Sequence, residues 1–264
     1  MSCPDCYTGT ILPGEPTGTL QPDFDGAYLS PGPEGSTLHA IILLTDIFGL
    51  GTPNPKLIAD NLSKQLSCDV WIPDLFQGKP PVKPDQMKAP ERPGQRMNWL
   101  SFFFAAIPAI PGFIRVRAAK TDSRIKSFIE KLKIERKYER LGAVGYCFGG
   151  AACVRLGATG LVNSVVICHP GGFSFQQVLA MKVPCSWVCA EEDFTFSQAT
   201  RIKTEKEFQS RKGKENYVEY EFRDYKGTTH GFACRPNLSY PEVKAGYEGA
   251  LKQTADWFNK TLHV

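Results

Sequence analysis

The sequence predicts an α/β protein with a mostly parallel, doubly wound sheet and helices on both faces. Short apolar runs alternate along the chain with segments of helical periodicity, which is the pattern of strands joined by crossover helices. Several runs are apolar at nearly every position, as strands buried on both faces are. The 264 residues suffice for one sizeable core, so we expect a single domain over 1–264.

Each element follows from a local signal, an apolar run for a strand or a spaced apolar face for a helix. The predicted strands are Phe24–Leu29 at the sheet edge, Leu38–Thr45, Cys68–Ile72, the run from Leu141, Asn163–Cys168, Val183–Ala190 and Tyr217–Tyr225. The predicted helices are Pro55–Leu66, Lys120–Leu132, Ser197–Arg211 and Pro241–Leu262. The carboxyl ends of parallel strands are where such sheets bind ligands, so the functional residues should follow these strands.

Residues 77–115 are interpreted as a lid over that edge of the sheet. Gln77–Gly94 is polar and rich in proline, and Trp99–Ile114 is aromatic and interrupted by prolines. An ordinary core helix over Trp99–Ile107 is the alternative.

Charge and cysteine content exclude several function classes. The 31 basic and 27 acidic residues leave a net charge of +4, which is too small and too scattered for nucleic-acid binding. The nine cysteines are an odd number and the first ten residues lack a signal-peptide pattern, so we expect reduced thiols in the cytoplasm. The longest uncharged run, Met97–Ile114, is broken by proline and glycine, so we expect no membrane partner. We expect a monomer or homodimer.

A thiol pair opens the chain. Cys3 and Cys6 have a spacing that suits a metal or a redox pair, but one pair supplies only half of a structural zinc site. We therefore expect no metal, and an ordered thiol pair is the simpler interpretation.

Cys147 is the candidate nucleophile. It stands in Gly145-Tyr146-Cys147-Phe148-Gly149, where an apolar run turns into a small-residue helical segment. A sharp strand-to-helix turn needs small residues two before and two after the nucleophile, and Gly145 and Gly149 meet that need. The N-terminus of the following helix favours a thiolate. The alternative is a glycine-rich turn with a buried, inert cysteine.

A histidine and an acid follow later strands. His230 is the candidate base, and Asp193, with Glu191 and Glu192 as competitors, is the candidate acid that orients it. The order nucleophile, acid, histidine is that of α/β-hydrolases. His169 breaks this order, so we place it in the pocket wall or in a turn with its hydrogen bonds satisfied.

The backbone N–H groups of Ile47 and Phe148 are the candidate oxyanion hole, one in the loop after an early strand and one after the nucleophile. Asp46, beside Ile47, is expected either to point at the thiol and hold its proton or to cap the helix that follows.

The chain resembles the dienelactone hydrolases and, more closely, their eukaryotic relatives, the carboxymethylenebutenolidases. The matching pieces are Thr45-Asp46-Ile47-Phe48-Gly49, Pro73-Asp74, Gly145-Tyr146-Cys147-Phe148-Gly149-Gly150, Ala190-Glu191-Glu192-Asp193 and Thr229-His230-Gly231-Phe232. The resemblance implies an α/β-hydrolase fold and a triad of Cys147, His230 and Asp193. It also implies opening of lactones or esters, without metal or cofactor, through an acyl-thioester.

Two departures from the bacterial members concern the surroundings of the triad. These enzymes have glutamate where this chain has Asp46, and their arginine follows the histidine by four residues, whereas Arg235 follows His230 by five. Arg235 is our candidate for binding a substrate carboxylate, with a salt-bridged surface arginine as the alternative. Tyr146 and His169 are expected around the site.

Two other functions remain open at this stage. A thioesterase or polyketide-releasing hydrolase would use the aromatic segment near Trp99 to line a larger pocket. A non-catalytic thiol redox or binding protein would use Cys147 without turnover.

Overall fold

The computed structural model of the protein describes residues 11–33, 38–83 and 89–262. Cys3 and Cys6 lie outside the described residues. The strands are β1 (Thr19–Gln21), β2 (Ala27–Ser30), β3 (His39–Leu44), β4 (Asp69–Ile72), β5 (Arg140–Tyr146), β6 (Ser164–Cys168), β7 (Cys185–Glu192) and β8 (Tyr220–Thr229). The helices are α1 (Asn54–Leu66), α2 (Trp99–Arg115), α3 (Ala118–Glu135), α4 (Phe148–Leu156), α5 (Phe175–Leu179), α6 (Gln198–Ser210) and α7 (Pro241–Leu262).

The strands form one eight-stranded sheet in the order β1-β2-β4-β3-β5-β6-β7-β8. The six strands from β4 to β8 along this order pair in parallel, and β1 and β2 are antiparallel additions. The prediction of a mostly parallel sheet is therefore confirmed.

Alternation along the strands divides the core between the two faces of the sheet. Ala40, Ile42 and Leu44 pack on the side of α3, α4 and α6, whereas Ile41 and Leu43 pack on the side of α1 and α7. All five side chains are fully buried, as expected for strands covered by helices on both faces.

The predicted edge strand Phe24–Leu29 is wrong in both extent and position. Phe24 ends a short 3₁₀ turn, and the strand proper begins at Ala27. Asp25 and Gly26 both have positive φ, which lets the chain reverse and pair β1 outside β2. The edge is therefore the short strand β1.

Helix α2 runs without interruption through Pro108 and Pro111, although prolines usually break a helix. Its C-terminal end is held by tertiary contacts. A Cβ at Gly112 would lie 2.9 Å from Pro81 Cα, and Arg115 donates a hydrogen bond to the carbonyl of Lys79 at 2.6 Å. These contacts offset the lost helical hydrogen bonds. Whether residues 77–115 move as a lid stays a prediction.

Across the described ranges, no helix combines the length and the apolar character needed to cross a membrane.

Candidate functional site

Cys147 lies in the turn between β5 and α4, with φ 51° and ψ −109°. This positive φ is strained for a residue with a side chain and is held by three backbone hydrogen bonds. Cys147 N donates to Cys168 O at 3.1 Å, and Cys147 O accepts from Gly171 N at 2.7 Å and from Ala151 N at 3.0 Å. Its side chain is only half-buried, whereas the other described cysteines are buried. The turn therefore presents one reachable thiol.

Two glycines make this turn possible by their lack of a side chain. A Cβ at Gly145 would lie 2.1 Å from the carbonyl oxygen of Gly149, and a Cβ at Gly149 would lie 2.1 Å from that of Leu44. Neither contact is compatible with a real side chain. The sequence-based requirement for small residues around Cys147 thus has a direct steric cause.

His230 and Asp193 lie at the ends of neighbouring strands. Asp193 follows β7, and His230 follows β8, which runs four residues further than predicted. His230 Nδ1 is 3.0 Å from both carboxylate oxygens of Asp193. His230 also lies within electrostatic range of Cys147, whose charge raises the pKa of the imidazole. The structure thus brings Cys147, His230 and Asp193 to the same edge of the sheet, with His230 hydrogen-bonded to Asp193.

Electrostatics favour opposite charges on His230 and Asp193. Burial alone would lower the pKa of His230, but the charge of Cys147 and the charge and hydrogen bond of Asp193 raise it to about 10. Burial alone would raise the pKa of Asp193, but His230 and Thr195 lower it to about 2. At neutral pH, His230 is therefore an imidazolium and Asp193 a carboxylate.

Thr195 is a residue that the sequence analysis missed. Its backbone N–H donates to Asp193 Oδ1 at 2.8 Å, and its hydroxyl lies 2.7 Å from the same oxygen and 3.0 Å from His230 Nδ1. The hydroxyl is also 2.8 Å from the carbonyl of Pro170. An Asp side chain commonly accepts a hydrogen bond from the backbone two residues later, and this pattern could have placed residue 195 beside Asp193.

The two candidate oxyanion donors belong to turns that are tied together. Phe148 is the first residue of α4, where backbone N–H groups have no partner within the helix. Ile47 lies in the turn after β3, and Gly149 N donates to Thr45 O at 3.0 Å across the two turns. The bond holds the loop carrying Ile47 against the start of the helix carrying Phe148.

The contacts of Asp46 differ from the expected one with the Cys147 thiol. Asp46 Oδ2 accepts a hydrogen bond from Arg235 Nε at 2.7 Å, and the thiol that lies 3.6 Å from it belongs to Cys234. Its Oδ1 accepts from the N–H of Phe48 at 3.0 Å, close to the capping alternative. A guanidinium binds the carboxylate, so the proton-holding interpretation is wrong for this structure.

Arg235 is salt-bridged, to Asp46, as the alternative interpretation states, but it is not a surface residue. Its side chain is 20% exposed, and its guanidinium lies 4.5 Å from the centre of the Phe48 ring. Part of the side chain still reaches solvent.

His169 is fully buried, and both of its ring nitrogens lack a hydrogen-bond partner among the described residues. Neither sequence-based interpretation, a pocket wall or a satisfied turn, is therefore correct. The ring packs against His230, Phe232 and Tyr146, with centroid distances of 5.1, 5.7 and 6.0 Å. Burial and the charge of His230 lower the pKa of His169 well below its ordinary value, so this imidazole is neutral. Tyr146 is buried beneath it.

No group of three or more histidine, cysteine, aspartate or glutamate side chains within the described part of the chain is arranged to hold a metal ion.

Comparisons with known proteins agree on one family. Residues 26–262 match the dienelactone hydrolase family. The chain is 30% identical to the hydrolase pyvD of Aspergillus violaceofuscus over 97% of this chain and 96% of that protein. It is 26% identical to the human carboxymethylenebutenolidase homolog, covering 89% of this chain and 87% of that protein.

A solved structure supports the fold. The dienelactone hydrolase of Anabaena variabilis has a TM-score of 0.58 and 14% identity, covering 89% of this chain and 91% of that chain. The match confirms the predicted α/β-hydrolase fold. The chain belongs to the dienelactone hydrolase family, and with it to the enzymes that hydrolyse esters and lactones.

Proposed function

We propose that the chain opens small lactones and cleaves small carboxylic esters through an acyl-thioester on Cys147. The observation that carries this proposal is the grouping of Cys147, His230 and Asp193, in which His230 is hydrogen-bonded to Asp193 and the thiol stands on a strained strand-to-helix turn. A thiol, a base and an orienting acid in this arrangement are the components of nucleophilic acyl transfer.

In the acylation step, the sulfur of Cys147, whose proton His230 has taken, attacks the carbonyl carbon of the substrate. The carbonyl oxygen becomes an oxyanion, and the N–H groups of Ile47 and Phe148 are the proposed donors to it. The bond to the alcohol oxygen then breaks, and His230 gives its proton to that oxygen. In a lactone the alcohol stays attached to the acyl group, so the ring opens without losing a fragment.

In the deacylation step, His230 takes a proton from water as the water oxygen attacks the thioester carbon. The carbon–sulfur bond breaks and leaves its electron pair on sulfur, the carboxylic acid leaves, and the Cys147 sulfur again lies beside the protonated ring of His230. Asp193 fixes the tautomer of His230 through Nδ1 in both steps. Arg235 is the proposed recognition group for a carboxylate on the substrate.

The test is hydrolysis of a panel of dienelactone, p-nitrophenyl acetate and a longer-chain ester. His230→Ala should lower kcat/KM by about 10²–10⁴-fold, and Cys147→Ser should lower it strongly. Cys68→Ala is the matched control, because Cys68 is a buried thiol directly before β4, at the opposite end of the sheet. Mass spectrometry of quenched wild type should find one acetyl group on Cys147.

Equal rates in wild type, Cys147→Ser and His230→Ala would refute the triad assignment. A wild type that hydrolyses no member of the panel would refute the proposed activity on small lactones and esters.

A larger acyl group is the second candidate substrate, as in a thioesterase or polyketide-releasing hydrolase. Helix α2 exposes the apolar side chains of Leu100, Phe104 and Ile107, and Ala109 packs against Phe48 in the turn beside Ile47. An apolar surface that begins next to a candidate oxyanion donor suits a long acyl chain. Rates that rise steadily with acyl length would favour this candidate over a small lactone.

A further inference from the structure

A cavity of about 390 Å³ opens beside His230 and Asp193. Its walls come from residues 90–97, from the last residues of β7 and those that follow it, and from the end of β8. Cys147, Asp46 and Arg235 do not line it. The cavity is therefore reached from the histidine side of the candidate site.

Hydrogen bonds fix the wall formed by residues 90–97 to the neighbours of the two ionised residues. Thr229, directly before His230, donates through Oγ1 to the carbonyl of Pro90 at 2.7 Å. Glu192, directly before Asp193, accepts from Gly94 N at 3.2 Å. A further bond from Asn237 Nδ2 to Glu91 Oε2 measures 2.7 Å. These hydrogen bonds hold the wall of the cavity in place at the edge of the sheet where the parallel strands end.

The direction of proton transfer assigns this space to one part of the substrate. In the proposed acylation step, His230 delivers its proton to the alcohol oxygen, so that oxygen lies on the His230 side of the reacting carbon. A cavity that touches His230 then receives the alcohol portion of the ester. The acyl portion stays on the side of Cys147.

The lining of the cavity defines which alcohols fit. Phe194 is 47% exposed, and its ring centroid lies 4.8 Å from that of His230. Met97 and Pro90 add apolar surface opposite. An aromatic alcohol portion can pack on this surface, since offset or edge contacts between rings are favourable.

The charges at the cavity further restrict which alcohol portions of a substrate can bind there. Glu191 and Glu192 are exposed at the cavity, and its lining, all within the described residues, contains no lysine or arginine. Glu191 is also fixed, because its Oε2 accepts from Gly227 N at 2.6 Å. The two carboxylates repel a negatively charged group placed there.

We propose that this cavity is a subsite for the alcohol portion of the substrate, and that it selects neutral aromatic alcohols over anionic ones. The proposal rests on the proposed function, because it uses His230 as the acid of the acylation step. It makes Phe194, Glu191 and Glu192 determinants of specificity rather than catalytic residues.

The first experiment compares phenyl acetate with para-carboxyphenyl acetate, which share the acyl group and differ in the charge of the alcohol. The measured quantity is kcat/KM, because it reports acylation, the step in which the alcohol leaves. The Glu191→Gln/Glu192→Gln variant keeps a side-chain oxygen for Gly227 N and Gly94 N and removes both charges. It should raise the rate ratio of the anionic to the neutral ester by about threefold to tenfold. Glu130→Gln, an exposed glutamate on α3, is the matched control.

The second experiment compares naphthyl acetate with ethyl acetate. Phe194→Ala should lower the ratio of naphthyl to ethyl kcat/KM by about tenfold. Tyr217→Ala is the control, because Tyr217 is 45% exposed and precedes β8, at the far end of that strand from His230.

The outcomes separate the two proposals. Cys147-dependent hydrolysis whose ratios stay unchanged in both cavity variants overturns the subsite and leaves the proposed function standing. A wild type that hydrolyses none of these esters, nor dienelactone, overturns both.

Discussion

The ion pair between Asp46 and Arg235 gives the sharpest prediction for stability. Asp46 is 4% exposed and Arg235 20% exposed at the side chain, and Nε and Oδ2 are 2.7 Å apart. Asp46→Asn removes the carboxylate charge but keeps an oxygen for the N–H of Phe48. The substitution therefore tests the charge pair with little change in shape.

The size of the effect follows from the charge left behind. Removing one partner of a buried pair costs about 3–5 kcal/mol, because the other charge stays uncompensated. Arg235 keeps some contact with water and with the face of the Phe48 ring, so we expect Asp46→Asn to lower the free energy of unfolding by about 2–3 kcal/mol. For a chain of this size, that change lowers Tm by about 4–12 °C.

The assay is urea unfolding of wild type, Asp46→Asn, Arg235→Gln and the double variant. The coupling free energy of this cycle should be at least about 1 kcal/mol. Asp122→Asn is the matched control, since Asp122 binds Arg155 at 2.7 Å but is 37% exposed, and it should cost about 1 kcal/mol or less. A coupling energy below about 0.5 kcal/mol would refute the reasoning, because the two charges would then be independent.

Two further predictions concern the triad and its turn. Since the pKa of His230 is raised to about 10, its protonated form stabilises the fold fully below about pH 6.5, and this stabilisation is lost as the pH rises through 10. Cys147→Ala should lose less stability than wild type between about pH 6 and about pH 9, and an equal or larger loss in urea unfolding would contradict this. Gly149→Ala should lower the free energy of unfolding by at least about 3 kcal/mol, because its Cβ would meet Leu44 O at 2.1 Å. Gly51→Ala, where nothing lies within 4 Å, should change it little, and equal urea midpoints of the two variants would show that the steric argument fails.

The order of Cys147, Asp193 and His230 along the chain was predictable, because each follows an apolar strand and parallel strands end at the same edge. Motif spacing around Cys147 also carried real information, since the close approach of Gly145 and Gly149 is a local steric requirement. The fold followed from these local patterns, and the family followed from the resemblance of the quoted motifs to those of a known family.

The surroundings of the triad were less predictable, because they depend on contacts between distant parts of the chain. Asp46 and Arg235 are 189 residues apart, so no local pattern pairs them. The continuity of α2 through Pro108 depends on packing against the loop near Pro81. A sequence does not show that the ring nitrogens of His169 lack hydrogen-bond partners among the described residues. The expectation from sequence is a hydrogen-bonded histidine, because most buried polar groups have a partner.

Four neighbouring strands, β5 to β8, end in a thiol, an imidazole, a carboxylate and an imidazole. His169, which follows β6, is neutral, and its ring nitrogens have no hydrogen-bond partner in the described part of the chain. It therefore cannot share the proton of His230, although the two rings are 5.1 Å apart. In the proposed mechanism, His230 therefore carries every proton that moves between sulfur, alcohol and water. The neighbouring ring of His169 packs against it and takes no part in proton transfer.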